Sequence, residues 1–379
     1  MISFDGGTLS TGLPGSDVRL DCTGLVLRPG AVNAHTHLYS GLAPLGLPAP
    51  KEPPQNFVQI LERIWWRLDR ALDRESLRAS ARYALADAVL HGTTTLIDHH
   101  ESPGFIEGSL DVLADAAQEL GVRLAVGYGA TERNEGRAEA KRGLAECERF
   151  VRFNRRPLVR GLVALHASFT VSDETVREAG ELARRLAVPM HVHVAEDGAD
   201  VLDANQRGYE GPLERLMKLG ALPHGSIVAH GVHLDEAQVR AAAHAGLWFV
   251  QNPRSNEGNK VGYAKSLRAS ERVALGTDGW PADMRLEADA LFRLGLAHGD
   301  GGDVLVARRD AGHALASSLF GPLDDWTAGK PGEPPRHVAV AGRLVVRDGV
   351  LQTADLEELR AKAHEAARGL WARMESLPR

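Results

Sequence analysis

The chain has 379 residues, is 44% hydrophobic and 25% charged, and carries a formal net charge of -6. That is ordinary for a globular protein with a large core, and it leaves no electrostatic footprint for nucleic acid and no basic patch for a membrane surface. No apolar run reaches the roughly 20 residues that span a bilayer, the opening MISFDGGTLS lacks the regions of a secretory signal, and the two cysteines, Cys22 and Cys147, fit a reducing cytoplasm.

In chain order, residues 1–28 are Gly-rich, with brief apolar stretches at 18–20 and 25–27, and read as short strands and turns. Eight short apolar runs follow, at 31–35, 94–98, 122–127, 158–166, 188–194, 226–230, 247–251 and 272–277. Helical periodicity fills gaps between them at 75–90, 109–120, 173–186, 212–219 and 236–245. Ser109 and Asp173 stand where N-caps belong, and Gly121, Gly220 and Gly246 where helices end. Eight strand–helix units predict an α/β fold, a closed (β/α)8 barrel over 29–334. The rival is an open doubly wound sheet, whose first strand would lead into a Gly-rich phosphate turn. Here the first run ends in histidines. Beyond about residue 335, stretches 337–340 and 343–346 read as a hairpin around Ala341-Gly342, and 355–374 as an amphipathic helix. Residues 1–28 and 335–379 together predict a small β-rich accessory domain.

Candidate catalytic residues fall at the C-terminal ends of the runs, which is the active-site face of a barrel. His35 and His37 are two apart and point to one side of a strand, so both can reach one ion, and imidazole suits zinc or iron. Alone, such a pair is equally a set of satisfied polar residues. His191 and His193 repeat the pattern; His193, nearer the mouth, is the better ligand, and His191 reads as packed behind it. Glu196 follows three residues later, where a carboxylate can move protons. His230 closes the sixth run and can orient water or polarise a substrate oxygen, whereas His233 reads as a loop or helix-start residue. Asp278, between glycines at the end of the eighth run, can ligate an ion and accept a proton. The fourth run ends in His166 rather than lysine, which favours a single ion and leaves His166 to touch substrate or make a structural hydrogen bond. The set is three imidazoles and one carboxylate for an ion, with Glu196 and His230 for proton transfer.

Around the same mouth, Trp65 and Trp66 can stack on a flat ring, with core packing favoured for Trp66. Arg133, Arg254 and Trp280 follow the third, seventh and eighth runs; salt bridges are the alternative for both arginines. Of His99 and His100, one is expected to face the pocket and the other the barrel wall.

On Pro29–His37 (PGAVNAHTH), Gly92-Thr93-Thr94-Thr95, His193 with Glu196, His230, Asn252-Pro253-Arg254-Ser255-Asn256 and Gly276-Thr277-Asp278-Gly279, the chain resembles the amidohydrolase superfamily, in the branch that deaminates or dechlorinates nitrogen heterocycles. Trp65-Trp66-Arg67-Leu68-Asp69, Asp98-His99-His100-Glu101-Ser102-Pro103 and Thr131-Glu132-Arg133-Asn134 make it similar to the SsnA-type aminohydrolases within that branch. The resemblance implies that His35, His37, His193 and Asp278 bind one divalent ion, zinc or iron, that Glu196 and His230 handle protons, and that His166 meets a small-molecule substrate. The expected reaction is hydrolytic deamination. The same site would serve hydrolysis of an amide, a cyclic amide or a carbon–chlorine bond. A non-catalytic barrel would have shed ligands, and an ion store needs no Glu196. A homodimer is left open. The chain departs from the family pattern in having only 34 residues before His35 and a shortened segment between Asp278 and the hairpin.

Overall fold

The apolar runs are buried on both faces, as the strands of a parallel sheet covered by helices must be. The computed structural model describes residues 20–378, together with the backbone of an antiparallel hairpin pairing Ile2–Asp5 with Thr8–Thr11. Of the stretch 18–20, residues 18 and 19 lie outside the described residues. The barrel strands are β1 (Ala31–Thr36), β2 (Thr93–His100), β3 (Arg123–Ala130), β4 (Val163–Ala167), β5 (Met190–Val194), β6 (Ile227–His230), β7 (Trp248–Gln251) and β8 (Val273–Leu275). Each pairs in parallel with its neighbours in sequence. A parallel bridge between Thr36 and Asp278 closes the ring. The Asn33 amide seals the seam, donating to Thr277 Oγ1 at 2.7 Å while its Oδ1 accepts from Thr277 N. Only glycine fits at 276, because a Cβ there would meet the Asn252 amide oxygen and the His35 Cβ at 2.6 and 2.7 Å.

Several local expectations need correction. The run 158–166 is two pieces, Val159–Gly161 and β4, both pairing with β3. The eighth strand stops at Leu275, since Asp278 turns into the left-handed region (φ 53°). The N-cap of helix Asp173–Leu186 is Ser172, whose hydroxyl accepts from Thr175 N, and the N-cap of Ser109–Leu120 is Gly108. Five helices of nine residues or more escaped the periodicity reading: Arg137–Phe153, Gly198–Gln206, Met284–Ala297, Gly302–Asp310 and Gly312–Phe320.

The chain ends meet in an antiparallel sheet ordered Val350–Leu351, Arg343–Arg347, His337–Val340, Trp326–Gly329, Val26–Pro29. Both hairpin turns use two successive positive φ angles, at Ala341-Gly342 and Asp348-Gly349, the geometry that matches strand twist. The sheet begins at Trp326, upstream of residue 335. Helix Leu356–Ser376 packs on the barrel rather than on this sheet. Arg67 donates to its last carbonyls, and Arg373 donates to Ala71 O at 2.9 Å. It buries Leu359, Ala363, Ala367, Leu370, Trp371 and Met374, an apolar stripe at helical spacing. Among the described residues no helix is long and apolar enough to cross a membrane.

Candidate active site

Three strand ends at the barrel mouth carry non-glycine residues with positive φ: Ala195 (51°), His230 (74°) and Asp278 (53°). Such conformations cost about 1 kcal/mol or more each and persist where surrounding structure enforces them. Here they turn the chain sharply at β5, β6 and β8, so that Glu196, His230 and Asp278 converge.

One ligand atom each from His35, His37, His193 and Asp278 lies within 4.8 Å of the other three. The outer nitrogens fix how the rings point. His37 Nδ1 donates to His99 O and His193 Nδ1 donates to His166 O, both at 2.6 Å. Their Nε2 atoms therefore aim inward and face each other at 3.2 Å. His35 Nδ1 contacts His191 Nε2 at 3.0 Å, and His35 Nε2 is buried without a hydrogen-bond partner, 3.5 Å from Asp278 Oδ1. Buried nitrogens crowded edge to edge around a carboxylate are unfavourable as they stand. They fit a cation: the 3.2 Å spacing is close to the edge of a tetrahedron built on zinc–nitrogen bonds of roughly 2.0–2.1 Å. His191 is fully buried behind His35, as its place in the strand predicts.

The electrostatics sort these groups. Burial lowers the His35 pKa to about 3 and that of His193 well below the usual imidazole range. Burial opposes charge on His37 too, but Asp278, whose Oδ1 is 2.8 Å from Nε2, pushes its pKa up to about 10. Asp278 is held well below the ordinary carboxylate range despite burial, by the His35 and His37 imidazoles beside it, and its Oδ2 also accepts from Ser255. A divalent ion binding through His37 Nε2 must displace that proton, because a group with a raised pKa stays protonated up to its shifted value. Zinc binding near neutral pH is thus expected to release about one proton per ion, and affinity to fall as pH falls. Calorimetry in buffers of different ionisation enthalpy measures this; a heat independent of buffer would contradict it.

Glu196 and His230 stand beside this cluster, with His230 Nε2 3.4 Å from Glu196 Oε2. Burial pushes the Glu196 carboxyl well above its usual range and the charge of Asp278 adds to the shift. Burial moves His230 in the opposite direction, towards the neutral ring. Its Nδ1 lies 2.9 Å from the Asn256 amide oxygen, and its Nε2 is buried with no hydrogen-bond partner. Burial thus favours the protonated form of the carboxyl next to a bare imidazole nitrogen, a pairing suited to acid–base work.

Above lies a pocket of about 820 Å³, its open mouth included, lined by Trp65, Trp66, His166, Phe169 and Trp280 among others. Trp65 and His166 are where the sequence reading puts them. Trp66 lines the pocket as well, which corrects its assignment to the core. A π-turn at Leu61–Trp65, between helical turns Phe57–Ile60 and Trp66–Ala71, brings both indoles inward. Arg133 and Arg254 do not line the pocket. Arg133 is buried beneath the Trp66 ring and bonded to Asp69 at 2.8 Å; Arg254 is tied to Glu287 and donates to Pro281 O. Buried partners outcompete any ligand for these guanidiniums. Neither His99 nor His100 lines the pocket: His99 packs among the site histidines, its Nε2 3.0 Å from Leu165 O, and His100 bonds Ser102. Sequence reasoning missed Glu101, Ser255, Asn256 and Asn259. The signals for Glu101 were its place directly after a strand-end His-His pair and within the stretch Asp98–Pro103 that carries the family resemblance.

The profile of the amidohydrolase family matches residues 26–308. The chain is 28% identical to the 5'-deoxyadenosine deaminase of Methanopyrus kandleri over 91% of its length and 86% of that protein. It is 28% identical to the 8-oxoguanine deaminase of Pseudomonas aeruginosa, covering 93% of this chain and 89% of that one. Among solved structures, a zinc-bound adenosine deaminase from Xanthomonas campestris superposes with a TM-score of 0.80 at 23% identity, over 99% and 94% of the two chains.

Proposed function

We propose that this chain, which belongs to the amidohydrolase family, is a hydrolytic deaminase that uses one divalent ion to release ammonia from an aminated nitrogen heterocycle. The observation that carries the reading is the convergence of His35, His37, His193 and Asp278 on one point with Glu196 and His230 paired alongside at 3.4 Å. The deaminase names of the relatives support it.

His35, His37, His193 and Asp278 would hold the ion, and three nitrogens with one carboxylate oxygen suit zinc. A bound divalent ion acidifies water and polarises the bond to be cleaved. The protein's own groups supply the rest. The flat ring lies against Trp65 and Trp66. Glu196 donates its proton to the ring nitrogen beside the reacting carbon, which makes that carbon electrophilic. His230 Nε2 accepts a proton from the attacking water, and Asp278 shares that task. Glu196, now a carboxylate, takes the water proton from His230 and passes it to the departing amine, and the proton left on the product oxygen returns to Glu196. One carbon–oxygen bond forms, one carbon–nitrogen bond breaks, and ammonia leaves.

Mass analysis of products from a panel of purines, pyrimidines, pterins and triazines tests the reaction type. Deamination replaces an amino group by oxygen. Addition of water with the ring opened would assign the site to cyclic amides, and loss of chloride to carbon–chlorine bonds.

A further inference from the structure

Glu101 has no part in the chemistry above, yet it is buried and lines the pocket. It follows β2, and one of its carboxylate oxygens lies within 4.8 Å of imidazole nitrogens of His166 and His193. Its Oε1 is 2.7 Å from His99 Nδ1; its Oε2 has no hydrogen-bond partner, and the nearest cationic group is His37 Nδ1 at 3.6 Å. That nitrogen is already engaged by the His99 carbonyl. The backbone makes room for this carboxylate, since a Cβ on Gly129 would come within 2.7 Å of Glu101 Oε1 and 2.5 Å of the His99 ring. A buried carboxylate oxygen without a partner, on a residue in a pocket wall, is costly unless something in the pocket bonds to it.

The pocket's charge points the same way. Five carboxyl groups line it, Glu101, Glu196, Asp197, Asp200 and Asp278, and no lysine or arginine does. Arg133 and Arg254, the cations nearest in sequence to the mouth, are held by Asp69 and Glu287.

We propose that Glu101 is a specificity residue: its unpartnered carboxylate oxygen accepts a hydrogen bond from a substrate N–H or O–H other than the reacting amino group, and the pocket takes only neutral or cationic rings, without phosphate or carboxylate. The orientation of the substrate rests on the deaminase reading; the charge selection does not. Aromatic walls hold the ring plane, Glu196 meets the amino group, and Glu101 meets another donor of the substrate. Away from the ion site, an anionic substituent would meet the Glu101, Asp197 and Asp200 carboxyls and no lysine or arginine, which selects against it.

The test is equilibrium binding to zinc-loaded Glu196→Gln protein, followed by tryptophan emission, with adenine, 9-methyladenine, adenosine and adenosine 5'-monophosphate as probes. Methylation removes the ring N–H of adenine, and phosphorylation adds the anion. Adenine is expected to bind roughly tenfold or more tightly than 9-methyladenine, the worth of a hydrogen bond to a charged acceptor. Glu101→Gln in the same background should cut that ratio to about twofold or less while zinc content is unchanged. Adenosine 5'-monophosphate should bind about a hundredfold more weakly than adenosine, a comparison that needs no change at Glu101. Retention of the adenine preference in Glu101→Gln, equal binding of the nucleoside and its phosphate, or no binding of any probe would overturn the proposal. Because binding is read without turnover, a protein that binds as described yet releases no ammonia would fail the deaminase reading alone.

Discussion

Glu196→Gln should keep its ion and lose turnover by about 10²–10⁴-fold, the usual contribution of a positioned general acid–base. The amide preserves shape and the 3.4 Å contacts to Asn259 and His230, so binding and folding should change little. What it removes is a proton held above the ordinary carboxylate range by burial and by Asp278. The pH profile carries a second signature. The reaction needs the protonated carboxyl, so wild-type kcat/KM should decline as pH rises through the elevated Glu196 pKa, and that alkaline limb should vanish in the variant. Unchanged turnover in Glu196→Gln would remove this residue from the mechanism.

The paired change His35→Ala with His37→Ala should be as severe for a different reason. It deletes two of the four converging donors, so metal analysis should fall from one ion per chain to near zero, with activity at background. Stability gives an independent readout. An ion that binds only the folded chain stabilises it by about 4 kcal/mol at a thousand times its dissociation constant. Added zinc should therefore raise the melting temperature of the wild type and leave the variant unmoved. An equal shift in both proteins would place the ion elsewhere.

The parts legible in the sequence were those carried by short-range pattern. Buried strands read as continuous apolar runs, and histidines two apart on a strand must share a face, so β1 and β5 with their His-x-His pairs were plain. Asp278 and Glu196 followed from their places just beyond strand ends. The rest depends on partners distant in the chain. Arg133 and Arg254 look free at a pocket mouth until Asp69 and Glu287 are seen to hold them, 64 and 33 residues away. Helix Arg137–Phe153 was obscured because its buried stripe, Ala140, Gly143, Leu144, Cys147 and Phe150, is small-residue-rich and set in a charged run. The inward turn of Trp66 comes from a π-turn, which no period-3.6 reading resolves. The left-handed Asp278 and His230 carry no glycine to announce the turn at their own positions. Glu101 was hidden by its neighbours, since the strand-end pair His99-His100 drew the attention that the next residue warranted.

The central claim is that metal-dependent loss of ammonia occurs at this one cluster. The measurement that tests it most directly is ammonia release by zinc-loaded protein on the heterocycle panel, with bound zinc counted in the same samples. The account predicts one ion per chain, ammonia from at least one ring, and loss of both in the His35→Ala/His37→Ala protein. Ammonia release that persists in that protein after its zinc is gone, or one tightly bound ion with no ammonia from any ring, would contradict it.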